Sequence, residues 1–141
     1  MLTLELPFPV SVNQYWKIAG KRMIKSKVAR AYIAEVTMLF LEAKARHGIK
    51  PFGPDDDLSI AIAVHYPMKK GRANDLDNLT KICIDALETA GVFPDDNQFR
   101  HVQISREKAR GKGSKGLARV TIKKCKPELK LDDKTFKVAG L

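Results

Sequence analysis

Apolar and polar residues alternate at the start of the chain, where Leu2, Leu4 and Leu6 are separated by Thr3 and Glu5 until Pro7 intervenes. That two-residue period predicts a short strand with one buried face, followed by a proline-rich turn and loop. Between Lys27 and His47 the period changes. Ala29, Tyr32, Ile33, Val36, Phe40 and Ala43 recur at three- and four-residue steps and Gly48 supplies a stop, which predicts a long amphipathic helix. After the turn chemistry of KPFGPDDD, alternation returns in Leu58, Ile60, Ile62, Val64 and Tyr66. This predicts a second strand, whose other face carries the small residues Ser59, Ala61 and Ala63 with His65. Pro67 ends it, and the basic loop MKKGRAN follows.

From Asn78 to Ala90 the apolar residues Leu79, Ile82, Cys83, Ala86, Leu87 and Ala90 fall on one helical stripe, with Gly91 at the end. Phe99–Lys108 and Leu117–Lys124 read as two strands joined by ARGKGSKG, a basic hairpin loop. The order is strand, helix, strand, helix, strand, strand. It predicts an α/β (α+β) fold in which two helices pack on one face of a small mixed sheet. Residues 1–126 are expected to form a single domain, and the weakly patterned tail 127–141 to be disordered or to dock on a partner chain.

Composition narrows the function. The 141 residues are 44% hydrophobic and 30% charged, and no apolar run approaches the roughly 20 residues of a membrane helix. The N-terminus MLTLELPFPV has no export-signal pattern, so a cytoplasmic protein is expected. Cys83 and Cys125 show no bridge or zinc-knuckle spacing and are expected to be free thiols. The net charge of +10 points to a polyanionic partner, with nucleic acid first.

Against that charge, the stretch RANDLDNLTKICIDALETAGVFPDD, from Arg72 to Asp96, gathers acids. Asp75 and Asp77 open it, Asp95 and Asp96 close it, and Lys81 lies between. Residues two apart in extended backbone point to the same side, roughly 6 to 7 Å apart. Lys81 projects from the same helical face as Asp77, one turn later. A returning strand after GVFP can bring Asp95 or Asp96 beside the first pair, and such a group suits a divalent cation such as Mg²⁺. Each acid also has a structural reading, because Asp starts helices as an N-cap, PDDN is turn composition, and a surface lysine is usually solvated. The combination of acids, lysine and basic loop is what favours a metal site. His47, His65 and His101 lack metal-ligand spacing, and no phosphate loop, nucleophile elbow or dinucleotide fingerprint indicates an organic cofactor.

DNA phosphates are the expected partners of Lys69, Lys70 and Arg72 before the acids, and of Arg106, Lys108, Arg110, Lys112 and Lys115 around the last hairpin. Lys21, Arg22 and Lys25 form a lesser basic group. Tyr15 and Trp16 either stack on bases or fill the core or a dimer interface. The rival to an enzyme is a non-catalytic nucleic-acid-binding module whose acids cap helices and fix turns.

The segment NDLDNLTKICIDALETAGVFPDD resembles the signature of the RusA Holliday junction resolvases, D-L-D-N-L-x-K, then D-A-L, a glycine turn and an acidic pair. LPFPVSVNQYW is similar to that family's proline-rich beginning, and the element order agrees over about residues 2 to 124. The resemblance implies a homodimeric, Mg²⁺-dependent endonuclease, with Mn²⁺ able to substitute, that cuts branched four-way DNA junctions by paired symmetric nicks. It implies Asp75, Asp77 and Asp96 as the acids and metal ligands, Asp95 as the adjacent member, and Lys81 as the catalytic lysine. Three features depart from the family pattern: KKGRAN replaces an unbroken arginine run, Val10 stands where a second proline is common, and the tail after Lys126 has no counterpart.

Overall fold

The structure is a computed structural model, and it describes residues 1–67, 76–108 and 115–125. A strand, β1 (Leu2–Pro7), leads into a one-turn helix, α1 (Val12–Tyr15), and two short strands, β2 (Trp16–Ala19) and β3 (Arg22–Lys25). The long helix α2 (Lys27–His47) follows, then β4 (Leu58–His65), α3 (Leu76–Thr89), a 3-10 turn (Asp96–Gln98), β5 (Phe99–Glu107) and β6 (Leu117–Lys124). Among these residues no helix is long and apolar enough to cross a membrane.

Helix α2 is bounded by both of its caps. The Ser26 side chain accepts from the Ala29 N–H, and Gly48 closes the far end at φ 62°, donating to the Lys44 carbonyl. Lys44, Arg46 and His47 in the last turn complement the helix dipole. The stripe Ala29, Tyr32, Ile33, Val36 and Phe40 is buried, as its spacing predicts.

The four-stranded sheet has the order β1-β6-β4-β5. β6 is antiparallel to both β1 and β4, whereas β5 is parallel to β4. β5 and β6 are therefore not a hairpin, contrary to the expectation from sequence, because β4 lies between them. The burial patterns give the reason. Leu58, Ile60, Ile62 and Val64 of β4 are all buried, so the strand gains most from a neighbour on each side, whereas β5 is largely exposed and takes an edge. Gly116 serves this arrangement at the start of β6: its φ is 77°, and a Cβ there would lie 2.6 Å from the His65 carbonyl oxygen.

Helices α2 and α3 bury one face of the sheet. Leu2, Leu4 and Leu6, the four β4 residues, and Ala118, Val120 and Ile122 meet the α2 stripe and Leu79, Ile82, Cys83, Ala86 and Leu87 of α3. Each large side chain buried there contributes about 1.5 to 3 kcal/mol. Both cysteines are free, and burial pushes the Cys83 thiol up to about 12, so it acts as packing.

The β2–β3 hairpin and α1 occupy the segment expected to be an irregular loop. Ser11 caps α1 by accepting from the Gln14 N–H, and Gly20, at φ 63°, opens the two-residue turn between paired Ala19 and Arg22. Tyr15 is fully buried and belongs to the core, which removes it as a base-stacking residue; Trp16 is half-buried against that core.

Candidate active site

The β4–α3–β5 unit joins parallel strands, so α3 runs back along the sheet between them. Its first turn follows the C-terminal end of β4, and its last turn approaches the start of β5. Asp77 stands exposed in the first turn, where the helix dipole favours an acid, with exposed Lys81 one turn on. Asp75 lies outside the described residues, as do Lys69, Lys70, Arg72, Arg110 and Lys112.

The other end of α3 is built by a tight reversal. Gly91, at φ 88°, donates to the Glu88 carbonyl and Val92 to the Leu87 carbonyl, a Schellman closure that satisfies the last helical acceptors. Buried Val92 and Phe93 anchor the reversal, and Phe93 meets Phe99 edge-on at 4.8 Å between ring centres. Asp95 then caps the 3-10 turn: its carboxylate accepts from the Asn97 N–H at 2.9 Å, while its own N–H donates to the Gln98 side chain at 3.0 Å. Gln98 also donates to the carbonyls of Gly53 (2.7 Å) and Asp56 (3.0 Å), which ties the turn to the loop before β4.

This reversal brings Glu88, Asp95 and Asp96 together, with one carboxylate oxygen from each within 4.8 Å of the others. Burial raises the Glu88 carboxyl above the ordinary glutamate range, and repulsion from Asp96, Asp95 and Asp85 raises it further, with Lys25 opposing. Two unit negative charges at such a separation repel by about 1 kcal/mol in bulk water and by about 3 to 4 kcal/mol near a protein surface. A divalent cation relieves that repulsion, and three carboxylates supply the hard oxygen donors it takes. The donor set therefore fits Mg²⁺.

Asp95 and Asp96 are thus in the cluster, whereas Asp77 is not. Glu88 is eleven residues beyond Asp77 on the same face of α3, about 16 Å along the helix axis. The spacing of acids along the sequence does not single out Glu88. A signal for it exists, since an acid in the last turn opposes the helix dipole and that turn holds no basic residue. Nor does it single out Asp85. Its carboxylate accepts from the Tyr15 hydroxyl and pairs with Lys25 at 3.1 Å, binding α1 and the hairpin to α3.

Of the described basic residues, Arg106, Lys108 and Lys115 are exposed at the sheet end where β4 and β5 finish and β6 begins, the same end as the start of α3. Arg106 lies over the Tyr66 ring at 4.4 Å from its centre. His65 donates through Nδ1–H to the Lys108 carbonyl (2.9 Å), a structural bond, and His47 and His101 are exposed.

Comparison with known proteins gives the family. The family model described as Endodeoxyribonuclease RusA matches residues 7–123. A protein of Enterobacteria phage HK97 named crossover junction endodeoxyribonuclease rusA is 31% identical over 101 residues, covering 72% of this chain and 78% of that protein. Proteins of the same name from Shigella sonnei and Enterobacteria phage 82 are 34% and 33% identical, over 68% and 67% of this chain and 74% and 73% of their own lengths. The family match over residues 7–123 and relatives more than 30% identical over most of their length agree: the chain belongs to the endodeoxyribonuclease RusA family.

Proposed function

We propose that this protein is a Mg²⁺-dependent endodeoxyribonuclease that resolves four-way DNA junctions in the cytoplasm by paired symmetric nicks. The observation that carries the proposal is the convergence of Glu88, Asp95 and Asp96 in a protein of net charge +10. The three carboxylates repel one another, and a divalent cation would relieve that repulsion. The names of the phage and bacterial relatives, crossover junction endodeoxyribonucleases, supply the substrate class.

In this reading Asp75, Asp77 and Asp96 hold the metal, with Asp95 adjacent and Glu88 completing the acidic wall. Asp95 keeps one oxygen on its cap, accepting from the Asn97 N–H. Bound Mg²⁺, or Mn²⁺ in its place, supplies a nucleophilic water near neutral pH and neutralises the phosphate. Lys81 either stabilises the anionic transition state or orients the attacking water. Lys69, Lys70, Arg72, Arg106, Lys108, Arg110, Lys112 and Lys115 contact phosphates and set the register of the DNA.

Paired nicks need two sites related by a twofold axis, hence a homodimer. Within one chain Asp77 and Asp96 flank α3 from opposite ends. Two copies with antiparallel α3 helices set the Asp77 end of one against the Asp96 end of the other, twice over.

The test is cleavage of a mobile synthetic four-way junction, each strand labelled in turn, with and without Mg²⁺. Nicks on opposite strands that require Mg²⁺ and vanish in Asp77→Asn and Asp96→Asn support the reading. The rival, a binding module with structural caps, predicts junction binding with no Mg²⁺-dependent cutting at all.

A further inference from the structure

The β2–β3 hairpin stands off the body of the fold. At its base Trp16 packs on the core, and Lys25 reaches Asp85 at 3.1 Å and Thr89 at 3.2 Å on α3. Beyond that base, on the same hairpin face, the cross-strand pair Ile18 and Met23 is 76% and 63% exposed. Lys17, Ile24 and Arg22 lie on the opposite face and Lys21 in the turn, all exposed, and no acid occurs between Trp16 and Lys25. An apolar pair on one face of a hairpin whose turn and other face carry cations is an unusual surface, because the two chemistries want different partners.

A branch point in DNA offers both. In a continuous duplex the flat apolar faces of the bases are stacked and hidden, and only phosphates and groove edges are open to a protein. At a four-way branch the stacking is interrupted, so an apolar side chain can pack on a base face while flanking phosphates meet cations. The base of the hairpin also adjoins the acidic cluster, since Lys25 acts electrostatically on Glu88. Self-association of the tip is disfavoured by its net charge, because no acid between Trp16 and Lys25 offsets Lys17, Lys21 and Arg22.

We propose that the β2–β3 hairpin is a branch-recognition wedge, in which Ile18 and Met23 pack against unstacked bases while Lys17, Lys21 and Arg22 hold the adjoining phosphates. This rests on the junction-resolving reading, and it adds an element that selects branched over linear DNA.

The experiment uses a four-way junction carrying 2-aminopurine beside the branch, in EDTA to prevent cutting, with linear duplex as control. Wild-type protein is expected to bind the junction more tightly than the duplex and to raise the fluorescence as the base unstacks. The double variant Ile18→Ser/Met23→Ser is expected to lose the fluorescence rise and roughly tenfold in junction affinity, about what burying one apolar side chain contributes. Its duplex affinity, thermal midpoint and sedimentation should match wild type, because both residues are exposed. The single variant Ile18→Ser should fall between. A full fluorescence rise in the double variant, with wild-type junction preference intact, overturns the wedge alone. A change in sedimentation makes the tip a self-association surface and also overturns it. Wild-type protein that binds junction and duplex equally removes the junction reading and the wedge together.

Discussion

The Tyr15 hydroxyl donates a hydrogen bond to the Asp85 carboxylate, joining residues 70 positions apart. Tyr15 is fully buried, and burial first, then the Asp85 bond and charge, hold its hydroxyl well above the usual tyrosine range. It therefore remains a donor at any working pH. The bond fastens α1, and with Lys25 the hairpin, to the helix that carries the acids.

Replacing Tyr15 with Phe keeps the ring in the core and removes this donor to a charged group. The variant should be less stable by about 2 kcal/mol, the range for a hydrogen bond to an ion. Urea unfolding should show a lower midpoint with an unchanged slope. An unchanged midpoint would mean that Lys25 alone satisfies Asp85.

Glu88 gives a pH dependence of defined sign. Its folded carboxyl is raised, by burial and then by Asp96, Asp95 and Asp85. The stability linked to its protonated form is full below the ordinary glutamate range and is lost as pH rises through the raised value. In EDTA near pH 7, Glu88→Gln should therefore be more stable than wild type, with the difference vanishing toward about pH 4. Mg²⁺ should raise the wild-type thermal midpoint more than the variant's. A variant that melts below wild type in EDTA at neutral pH contradicts the repulsive cluster.

Asp77→Asn and Asp96→Asn should each abolish cutting alone. If each active site draws these acids from two copies, co-expressed chains carrying one change each form mixed dimers with one intact and one doubly altered site. Such dimers should nick one junction strand, without the paired cut. If both acids serve the same chain's site, every site in the mixed dimer is damaged and the mixture stays inert.

Much of the fold is legible in the residues themselves. The α2 stripe, with Ser26 and Gly48 at its ends, and the uninterrupted alternation of β4 are strong local patterns, and the structure follows both. The β2–β3 hairpin is not legible, because its strands are four residues each and leave Ile18, Met23 and Ile24 exposed, so they show no buried face. The mistaken β5–β6 hairpin has a different cause: pairing β6 to β1 and β4 is a tertiary outcome that short-range turn chemistry does not report. For the acids, the helix end at Gly91 and a return after GVFP are legible, but the closeness of Glu88 to Asp95 and Asp96 depends also on the 3-10 turn, which no spacing shows. The separation of Asp77 from Glu88 follows directly from the helical rise.

A Mg²⁺-dependent nuclease that makes coordinated cuts at a four-way junction should linearise a supercoiled plasmid that extrudes a cruciform. One nick releases the supercoiling and reabsorbs the cruciform, so only two cuts within one binding event yield linear DNA. Linear product ending at the cruciform, formed with Mg²⁺, absent in EDTA and absent with Asp96→Asn, is the predicted result. Plasmid that is bound but left supercoiled at saturating Mg²⁺ or Mn²⁺, or cut equally well by the variant, would contradict it.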